Sequence, residues 1–383
     1  MRVLHVIPSL SPLRGGPSFA VVEMVKSLIG HGVDAEIVTT DDNLPNLASE
    51  KKKVKIIWEQ VPAFFFHRLN SPVKAIGEYS LSPAFISWMK ENIRKYDVVH
   101  THAVFSFLPS YARHLSYKMK IPCVARTMGH LDPWSLRNSK MKKKIALLLF
   151  EKKRLLNASV IHATSNSEAS NINKLLGDHI NVATIPLGIK IPEGGHLSKS
   201  DSRRFLGFKE DDKLIIFQSR LHPKKRVELL FNVLVKIPFA KLVIAGRGDH
   251  AYENYLKKLS RSLRLEGRVI WLGWLDGARR GALLKAGDVF ALPSLSENFG
   301  LAALEAASCG ITSVLSEHVD VGIRLSELGA ALICKDDDYV GIIKRVLEAP
   351  GNYQFDVDKI LREFDWNNIG LNLKQLYLRI VNN

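Results

Sequence analysis

The feature that most constrains the fold is the regular alternation of short apolar runs with helical segments. Val3–Ile7 is an apolar run, Phe19–Ile29 has an apolar face at helical spacing, and Val33–Thr40 is apolar again. A strand–loop–helix–strand unit of this kind predicts a largely parallel α/β sheet. The pattern restarts at Leu214–Gln218 and continues with alternating helices and strands. We therefore expect α/β architecture in both halves of the chain.

The chain is long enough for two domains. At 383 residues it exceeds what a single core usually holds. Residues 188–202 contain proline, two adjacent glycines and several serines, and we interpret them as the interdomain linker. We expect domains at 1–190 and 200–360, followed by a C-terminal segment, 361–383, that forms a final helix from Phe364-Asp365-Trp366 onward.

Charge is the unusual part of the composition. Lys and Arg exceed Asp and Glu by 16, which favours attraction to phosphates on nucleic acid, anionic lipid or small ligands. Cys123, Cys309 and Cys334 lie far apart without metal-ligand spacing, which fits a reduced compartment. The N-terminal residues resemble a first strand more than a signal peptide, and no apolar stretch reaches about 18 residues. We expect a cytoplasmic protein, with peripheral attachment at the inner membrane face as a further expectation.

The segment Ser294–Ala306 has the most specific chemistry. The apolar run Val289–Pro293 leads into a turn with Glu297, helical content begins at Gly300, and Glu305 follows about two helical turns beyond the first glutamate. A helix start presents unpaired N–H groups and the positive end of the dipole, which suits phosphate. Carboxylates in such a place more reasonably accept hydrogen bonds from hydroxyl groups. Phosphate and polyol together indicate a nucleotide sugar.

Other candidate ligand contacts follow predicted strands. Four cations, Arg220, Lys224, Lys225 and Arg226, precede a helix, and a solvated charge run is the alternative to an anion site. His130 and Asp132 lie in a loop after a strand, where open α/β sheets place ligands, although capping of the loop explains them equally well.

Residues 137–156 predict a basic amphipathic helix. Lysines and arginines surround Ile145–Phe150, with apolar residues at near-helical spacing. One interpretation is a solvated cationic face over the core. The other, which we carry forward for residues 137–154, is docking on an anionic membrane surface.

Taken in order, these pieces resemble the GT-B glycosyltransferases, and within them the retaining enzymes of family 4. The most specific match is Glu297 followed by Asn298-Phe299-Gly300-Leu301 and then Glu305, which is the family's paired-glutamate motif. Ser219-Arg220-Leu221 with Lys225, Leu272-Gly273-Trp274 and the Gly15-Gly16 loop support it. The resemblance implies two Rossmann-like domains facing each other across a cleft, with the C-terminal helix crossing back to the N-terminal domain.

The resemblance also implies roles for individual residues. Arg220 and Lys225 would bind the donor diphosphate, Glu297 the sugar hydroxyls and Glu305 the ribose hydroxyls. A histidine would contact the sugars, with His130 as the nearest match and His102 as its competitor. The implied catalytic residues are therefore His130, Glu297, Arg220 and Lys225, and the implied donor-binding residues are Gly16, Arg220, Lys225, Gly246, Trp274, Glu297, Asn298, Phe299, Gly300, Leu301 and Glu305. Ser219 and Arg226 depart from the family, which commonly has glycine there, and add bulk and charge beside the diphosphate site.

The expected function is retaining transfer of a hexose from a nucleotide sugar, with UDP-glucose as first choice, to a polysaccharide or lipid-linked saccharide acceptor. Arg and Lys take the place of a metal ion, so we expect no metal and no cofactor beyond the donor substrate. A glycosidase is less favoured, since its carboxyl groups must face each other across the scissile bond. The alternative from another class is a basic nucleic-acid-binding protein without transferase activity, although no reading module is evident.

Overall fold

The computed structural model describes residues 1–44, 55–69, 79–137 and 145–382. Packing contacts divide the chain into two units. The first unit contains Met1–Gly188 and Trp366–Asn383, and the second contains Ile189–Asp365. The chain therefore leaves the first unit at Gly188 and returns to it at Trp366.

Each unit is built on one main sheet. In the first unit the described strands are β1 (Arg2–Ser9), β2 (Asp34–Thr40), β3 (Lys55–Trp58), β4 (Val61–Phe66), β5 (Val98–His102), β6 (Cys123–Arg126), β7 (Val160–Ala163) and β8 (Val182–Thr184). They lie in the order β3-β4-β2-β1-β5-β6-β7-β8. The pairs are parallel except for the antiparallel pair of β3 and β4 at one edge.

The sheet of the second unit is parallel throughout its described pairs. Its strands are β9 (Lys213–Gln218), β10 (Ala240–Ala245), β11 (Val269–Gly273), β12 (Val289–Leu292), β13 (Ser313–Ser316) and β14 (Ala331–Cys334). They lie in the order β11-β10-β9-β12-β13-β14. The central strands β9 and β12 are almost entirely buried, as expected for parallel strands covered on both faces.

Helices connect the strands as the alternation predicts. In chain order they are α1 (Gly16–Gly30), α2 (Pro83–Asn92), α3 (Phe107–Met119), α4 (Pro133–Arg137), α5 (Lys152–Leu156, preceded by a π-helical turn at Leu147–Glu151), α6 (Asn166–Leu176), α7 (Lys199–Leu206), α8 (Val227–Lys236), α9 (His250–Ser262), α10 (Gly277–Ala286), α11 (Leu301–Ser308), α12 (Asp320–Glu327), α13 (Tyr339–Glu348), α14 (Val357–Glu363) and α15 (Trp366–Asn382). The prediction of a two-domain α/β fold is confirmed.

The segment interpreted as a linker is more ordered than the sequence suggested. Its last residues begin α7, where the Ser198 side chain caps the helix by accepting a hydrogen bond from the Asp201 N–H. At its start, the Ile189 N–H donates to the Phe364 carbonyl at 2.8 Å. Residues 189–202 are thus integrated into the second unit, and the prediction of a linker over 188–202 is wrong for most of that range.

Helix α15 packs on α1 within the first unit. The Ser27 hydroxyl donates to the Trp366 carbonyl at 2.6 Å, and the Lys374 ammonium donates to the His31 carbonyl at 2.7 Å. Gly188 lies against the Trp366 ring so closely that a Cβ would come within 2.5 Å of it. The return of the C-terminal helix to the N-terminal half, as predicted, is therefore held by specific contacts.

A chain of buried hydrogen bonds joins α15 to the sheet. The Ile185 carbonyl can only accept, so His162 Nε2, at 2.8 Å, must donate to it. His162 Nδ1 then accepts from His100 Nε2 at 3.3 Å, and His100 Nδ1 accepts from the Tyr377 hydroxyl at 2.7 Å. Both imidazoles are neutral in this arrangement, and burial lowers the pKa of His162 to about 3. We call these four residues the imidazole chain.

Replacing Tyr377 with phenylalanine tests the imidazole chain. The buried His100 Nδ1 loses its donor, and we expect the free energy of unfolding to fall by about 1–3 kcal/mol. Hydrogen exchange of the α15 amides should accelerate in the same variant. Tyr117→Phe, at a tyrosine on α3 that is 57% exposed, serves as the control. Equal effects of the two substitutions would contradict the assignment.

Candidate functional site

The turn before α11 requires a glycine at one position. Gly300 has φ of 96°, in the left-handed region, and directly precedes Leu301, the first helical residue. A Cβ on Gly300 would lie 2.6 Å from Val319 Cγ1. The Glu297 N–H donates to the His318 carbonyl at 2.9 Å, which fixes the turn against the segment after β13. The helix therefore begins one residue later than the sequence suggested.

Two backbone donors head α11. The Gly300 carbonyl accepts from the N–H groups of Ala303 and Leu304, at 2.9 and 3.2 Å. The N–H groups of Leu301 and Ala302 belong to the first helical turn, where no carbonyl group of the helix is in a position to accept from them. They are therefore directed outward at the positive end of the helix dipole. Next to them Asn298 is half-buried and Phe299 is buried. This arrangement has the chemistry that an anionic ligand needs.

Glu297 lies in a buried ion pair with Lys225. The Lys225 side chain is 8% exposed, that of Glu297 is 12% exposed, and the Ser294 hydroxyl donates to the same carboxylate at 2.8 Å. Burial opposes ionisation of Glu297, but Lys225, Lys224 and Ser294 together outweigh it and lower the pKa below its usual value. The two residues that the sequence assigned separately to sugar and diphosphate are thus in direct contact.

The neighbouring arginines differ in their surroundings. Arg220 follows β9 and is exposed, and it forms no ion pair with any of the described residues. Arg226 has φ of 51°, which explains why glycine suits this position. Its guanidinium donates to the Pro293 carbonyl at 2.7 Å and pairs with Asp336. Asp336 therefore offsets the charge that Arg226 adds, whereas Arg220 is available to a ligand.

Gly246 and Trp274 lie at the ends of adjacent strands. Gly246 has φ of 142°, and a Cβ there would overlap the Ser219 carbonyl oxygen. The missing side chain at Gly246 thus permits close contact with the backbone of Ser219. Trp274 follows β11 and is 42% exposed, so its ring is accessible.

Glu305 pairs with an arginine that the sequence did not single out. It lies on α11, and its carboxylate is bound by Arg280 of α10. Burial raises the pKa of Glu305 above its usual value, although Arg280 acts in the opposite direction. Both glutamates of the motif therefore have a cationic partner in the second unit.

In the Gly15-Gly16 loop of the first unit, the glycine with a left-handed backbone conformation is Gly15, not Gly16. Gly15 has φ of 81° and precedes α1, whereas Gly16 is the first residue of that helix. Nothing lies within 4 Å of where a Cβ of Gly15 would be. The conformational requirement is thus at Gly15, while Gly16 presents its N–H at a helix start.

The two candidate histidines differ in accessibility. His130 is half-buried, its Nδ1 accepts from the Val104 N–H at 3.2 Å, and its ring stacks on Phe105. His102 is fully buried at the end of β5, with Nε2 at 3.0 Å from His5 Nδ1. Of the two, His130 keeps the access that a sugar contact requires.

The loop that holds His130 is fixed by Glu168, which sequence reasoning missed. Glu168 accepts from the Thr127 hydroxyl at 2.6 Å and from the Gly129 N–H at 2.8 Å.

The same region contains two helix caps. Asp132 accepts from the Trp134 N–H at 3.2 Å, so it caps α4 as the alternative interpretation proposed. Ser165 and Glu168 form the Ser-x-x-Glu pattern of a helix start, a signal that was present in the sequence.

One histidine group among the described residues has the spacing of a metal site. Ligand atoms of His5, His100 and His102 lie within 4.8 Å of one another. However, both ring nitrogens of His100 belong to the imidazole chain. The fully buried Arg126 is the register partner of His102, and its positive charge in the same layer disfavours a divalent cation. We therefore assign these histidines to the hydrogen-bonded core.

The basic segment is described only in part, since residues 138–144 lie outside the described residues. In the remainder, Leu148 and Leu149 are 77% and 72% exposed, and Lys153 is exposed beside them. Arg154 instead donates to the Ser110 hydroxyl at 2.5 Å. Within the described residues, none of the helices has the length and apolar character required to cross a bilayer.

Comparison with known proteins identifies the family of both halves of the chain. Residues 198–350 match the family described as Glycosyl transferases group 1, and residues 14–191 match Glycosyltransferase Family 4. An uncharacterized glycosyltransferase of Methanocaldococcus jannaschii is 25% identical, over 95% of this chain and 94% of its own length. A D-inositol 3-phosphate glycosyltransferase of Actinosynnema mirum is 24% identical over 88% and 85%, respectively.

Two solved structures share the fold. Sucrose-phosphate synthase from Thermosynechococcus elongatus superposes with a TM-score of 0.80 at 18% identity, over 99% of this chain and 98% of that one. Anabaena HepE, solved in complex with UDP-glucose, gives 0.77 at 20% identity over 98% and 99%. Fold and site together define a GT-B glycosyltransferase. The chain belongs to glycosyltransferase family 4, the group 1 glycosyltransferases.

Gly300→Ala tests the geometry of the helix start. We expect the substitution to lower the free energy of unfolding by about 1–3 kcal/mol, because alanine is strained at positive φ and its methyl group meets Val319. Gly341→Ala is the control, since Gly341 lies exposed within α13 with nothing within 4 Å of its Cβ position. There we expect a gain of about 0.5–1 kcal/mol. Thermal unfolding of both variants measures the difference, and a neutral Gly300→Ala would contradict the strain.

Proposed function

We propose that the protein is a retaining glycosyltransferase that transfers a hexose from UDP-glucose to a saccharide or lipid-linked saccharide acceptor without a metal ion. The observation that carries the proposal is the Glu297–Glu305 segment, where a helix start lies between two carboxylates that are each only 12% exposed and have cationic partners. The N–H groups at the helix start can bind phosphate, and ionised carboxylates can accept hydrogen bonds from hydroxyl groups. A nucleotide sugar contains both phosphate and hydroxyl groups in one molecule.

Arg220 is the residue best suited to the leaving diphosphate. Its exposed guanidinium has no carboxylate partner among the described residues, so it can bind phosphate oxygens in a bidentate manner. As the bond to the sugar breaks, negative charge grows on the diphosphate. Arg220 and the N–H groups of Leu301 and Ala302 stabilise that charge, which is the task that a metal ion performs in other enzymes.

The paired carboxylates support transfer over hydrolysis. Glu297 is bound by Lys225 and Glu305 by Arg280, so each faces its own cation. A retaining glycosidase needs one carboxyl group as acid and one as nucleophile on either side of a bond. In the proposed transfer the departing phosphate takes the proton of the acceptor hydroxyl on the same face of the sugar. No carboxylate base is then required.

The relatives support the choice of substrate class. One is called a D-inositol 3-phosphate glycosyltransferase, and one structure of similar fold contains UDP-glucose. Both are consistent with a nucleotide-sugar donor and a hydroxylated acceptor here. The alternative of a nucleic-acid-binding protein has no support from these comparisons.

A donor screen tests the proposal. UDP-glucose, UDP-galactose, ADP-glucose and GDP-mannose are titrated by calorimetry, and we expect saturable binding with preference for UDP-glucose. Arg220→Ala should weaken it by about 1.5–3 kcal/mol, or roughly ten- to a hundredfold. Arg261→Ala removes an exposed arginine from α9 and should leave binding unchanged. Failure of all four donors to bind the wild type would contradict the function, and unchanged affinity in Arg220→Ala would contradict the role of that residue.

We also propose that the basic segment 137–154, through its described part at 145–154, docks on an anionic bilayer surface. Exposed leucines at 148 and 149 insert among the acyl chains, while Lys152 and Lys153 stay at the head-group level. Docking of this kind would bring the enzyme to a lipid-linked acceptor.

Vesicle sedimentation tests the docking. The protein should sediment with vesicles that contain phosphatidylglycerol, less so at high salt, and not with phosphatidylcholine alone. Combined Leu148→Ser and Leu149→Ser should reduce binding at least about tenfold, because each buried leucine contributes about 1.5–3 kcal/mol. Ile57→Ser is the control, since Ile57 is 70% exposed on β3. Unchanged sedimentation of the double variant would refute docking at this site.

A further inference from the structure

The ion pair between Arg280 and Glu305 is not explained by the stability of the fold alone. Arg280 lies on α10 and remains 31% exposed, whereas the Glu305 carboxylate on α11 is only 12% exposed. Removing a carboxylate from water is costly unless a cation and hydrogen bonds compensate it. A buried apolar side chain at position 305 would avoid that cost. The chain instead keeps a charged pair with one partner open to solvent.

A second observation points to a ligand at the same place. Gln218, the last residue of β9, is 8% exposed, and among the described residues neither its Nε2 nor its Oε1 has a hydrogen-bond partner. The Gln218 amide lies close enough to Glu305 to lower the pKa of that carboxylate by a hydrogen-bonding interaction, although no bond of normal geometry joins the two side chains. A buried amide with both polar atoms unsatisfied is uncommon in a folded protein. It is satisfied when a ligand with donor and acceptor groups binds beside it.

We propose that Arg280 is a positioning residue for the ribose of the nucleotide, because it holds Glu305 as an oriented carboxylate beside the free amide of Gln218. The inference rests on the proposed function, which has a nucleotide sugar bound at α11. In this role Arg280 does not touch the diphosphate. It fixes the acceptor atoms to which ribose hydroxyls donate, and Gln218 completes the polar lining.

The electrostatics of the pair explain why a cation is needed at position 280. Burial raises the pKa of Glu305, and Arg280 is the largest influence in the opposite direction, followed by Gln218. The Cys309 thiol also faces Glu305, but burial raises its pKa to about 11, so it is uncharged near neutrality. Lys285 of α10 is directed to the Cys309 carbonyl at 3.4 Å. Without Arg280, therefore, Glu305 takes up a proton at a higher pH and accepts fewer hydrogen bonds.

Binding of uridine and of UDP separates this role from a phosphate contact. In Arg280→Ala we expect both ligands to lose affinity by the same factor, about tenfold at pH 6, since both contain ribose. A direct contact between Arg280 and phosphate would weaken UDP alone. Arg280→Lys should restore most of the affinity, because an ammonium also keeps Glu305 ionised. Arg279→Ala, at the exposed neighbour on α10, is the matched control and should bind like the wild type.

The pH profile distinguishes positioning from a merely structural effect. The ratio of Arg280→Ala to wild-type affinity for UDP should rise towards 1 as the pH is raised, because Glu305 in the variant ionises at a higher pH than in the wild type. Taking the ratio cancels titration of the nucleotide itself. Glu305→Gln should bind weakly at every pH with a flat ratio. A flat ratio in Arg280→Ala, or tighter binding by that variant, would overturn the inference.

One measurement is independent of nucleotide binding. Carbon-13 NMR of labelled glutamate side chains in the free protein should show Glu305 titrating at higher pH in Arg280→Ala than in the wild type. If the wild type binds no nucleotide, the proposed function fails. If the wild type binds UDP but Glu305 titrates identically in both proteins, only the role of Arg280 fails.

Discussion

The second unit places two carboxylates, those of Glu297 and Glu305, largely out of contact with water, and each needs neighbouring groups to stay charged. Glu297 lies near Lys225, Lys224 and the Ser294 hydroxyl, which lower its pKa despite burial. Glu305 has one guanidinium and a poorly satisfied amide, and its pKa rises. Two glutamates of the same motif are thus tuned in opposite directions. The difference comes from neighbours on other elements rather than from the motif itself.

The backbone around these carboxylates adopts conformations that only particular residues tolerate. Gly300 is in the left-handed region at the head of α11, and Arg226 is in the same region at the head of α8. Gly246 packs directly on the Ser219 carbonyl. The three positions lie in the loops after β9, β12 and β10, and the carboxyl ends of these parallel strands share one edge of the sheet.

Local sequence pattern was sufficient for the fold and for the position of the helix start at α11. The alternation of apolar runs with helical segments gave the parallel sheets, and the spacing of Glu297, Gly300 and Glu305 gave the helix start to within one residue. The pairings could not be read in this way. Arg280 and Glu305 are 25 residues apart, Lys225 and Glu297 are 72 apart, and His100 and Tyr377 are 277 apart. Such contacts depend on how helices pack, which no local pattern encodes. For Glu168 a local signal did exist, because Ser165 and Glu168 form the pattern of a helix start.

The imidazole chain has a consequence for the order in which the protein takes shape during synthesis. His100 and His162 are translated with the first unit, but Tyr377 emerges only after the whole of the second unit has been made. Until then His100 lacks the hydroxyl group that donates to it, and α1 lacks the helix that packs against it. Helix α15 therefore completes the first unit only after the second unit has been synthesised. During that interval the surface that α15 later covers is open to chaperones.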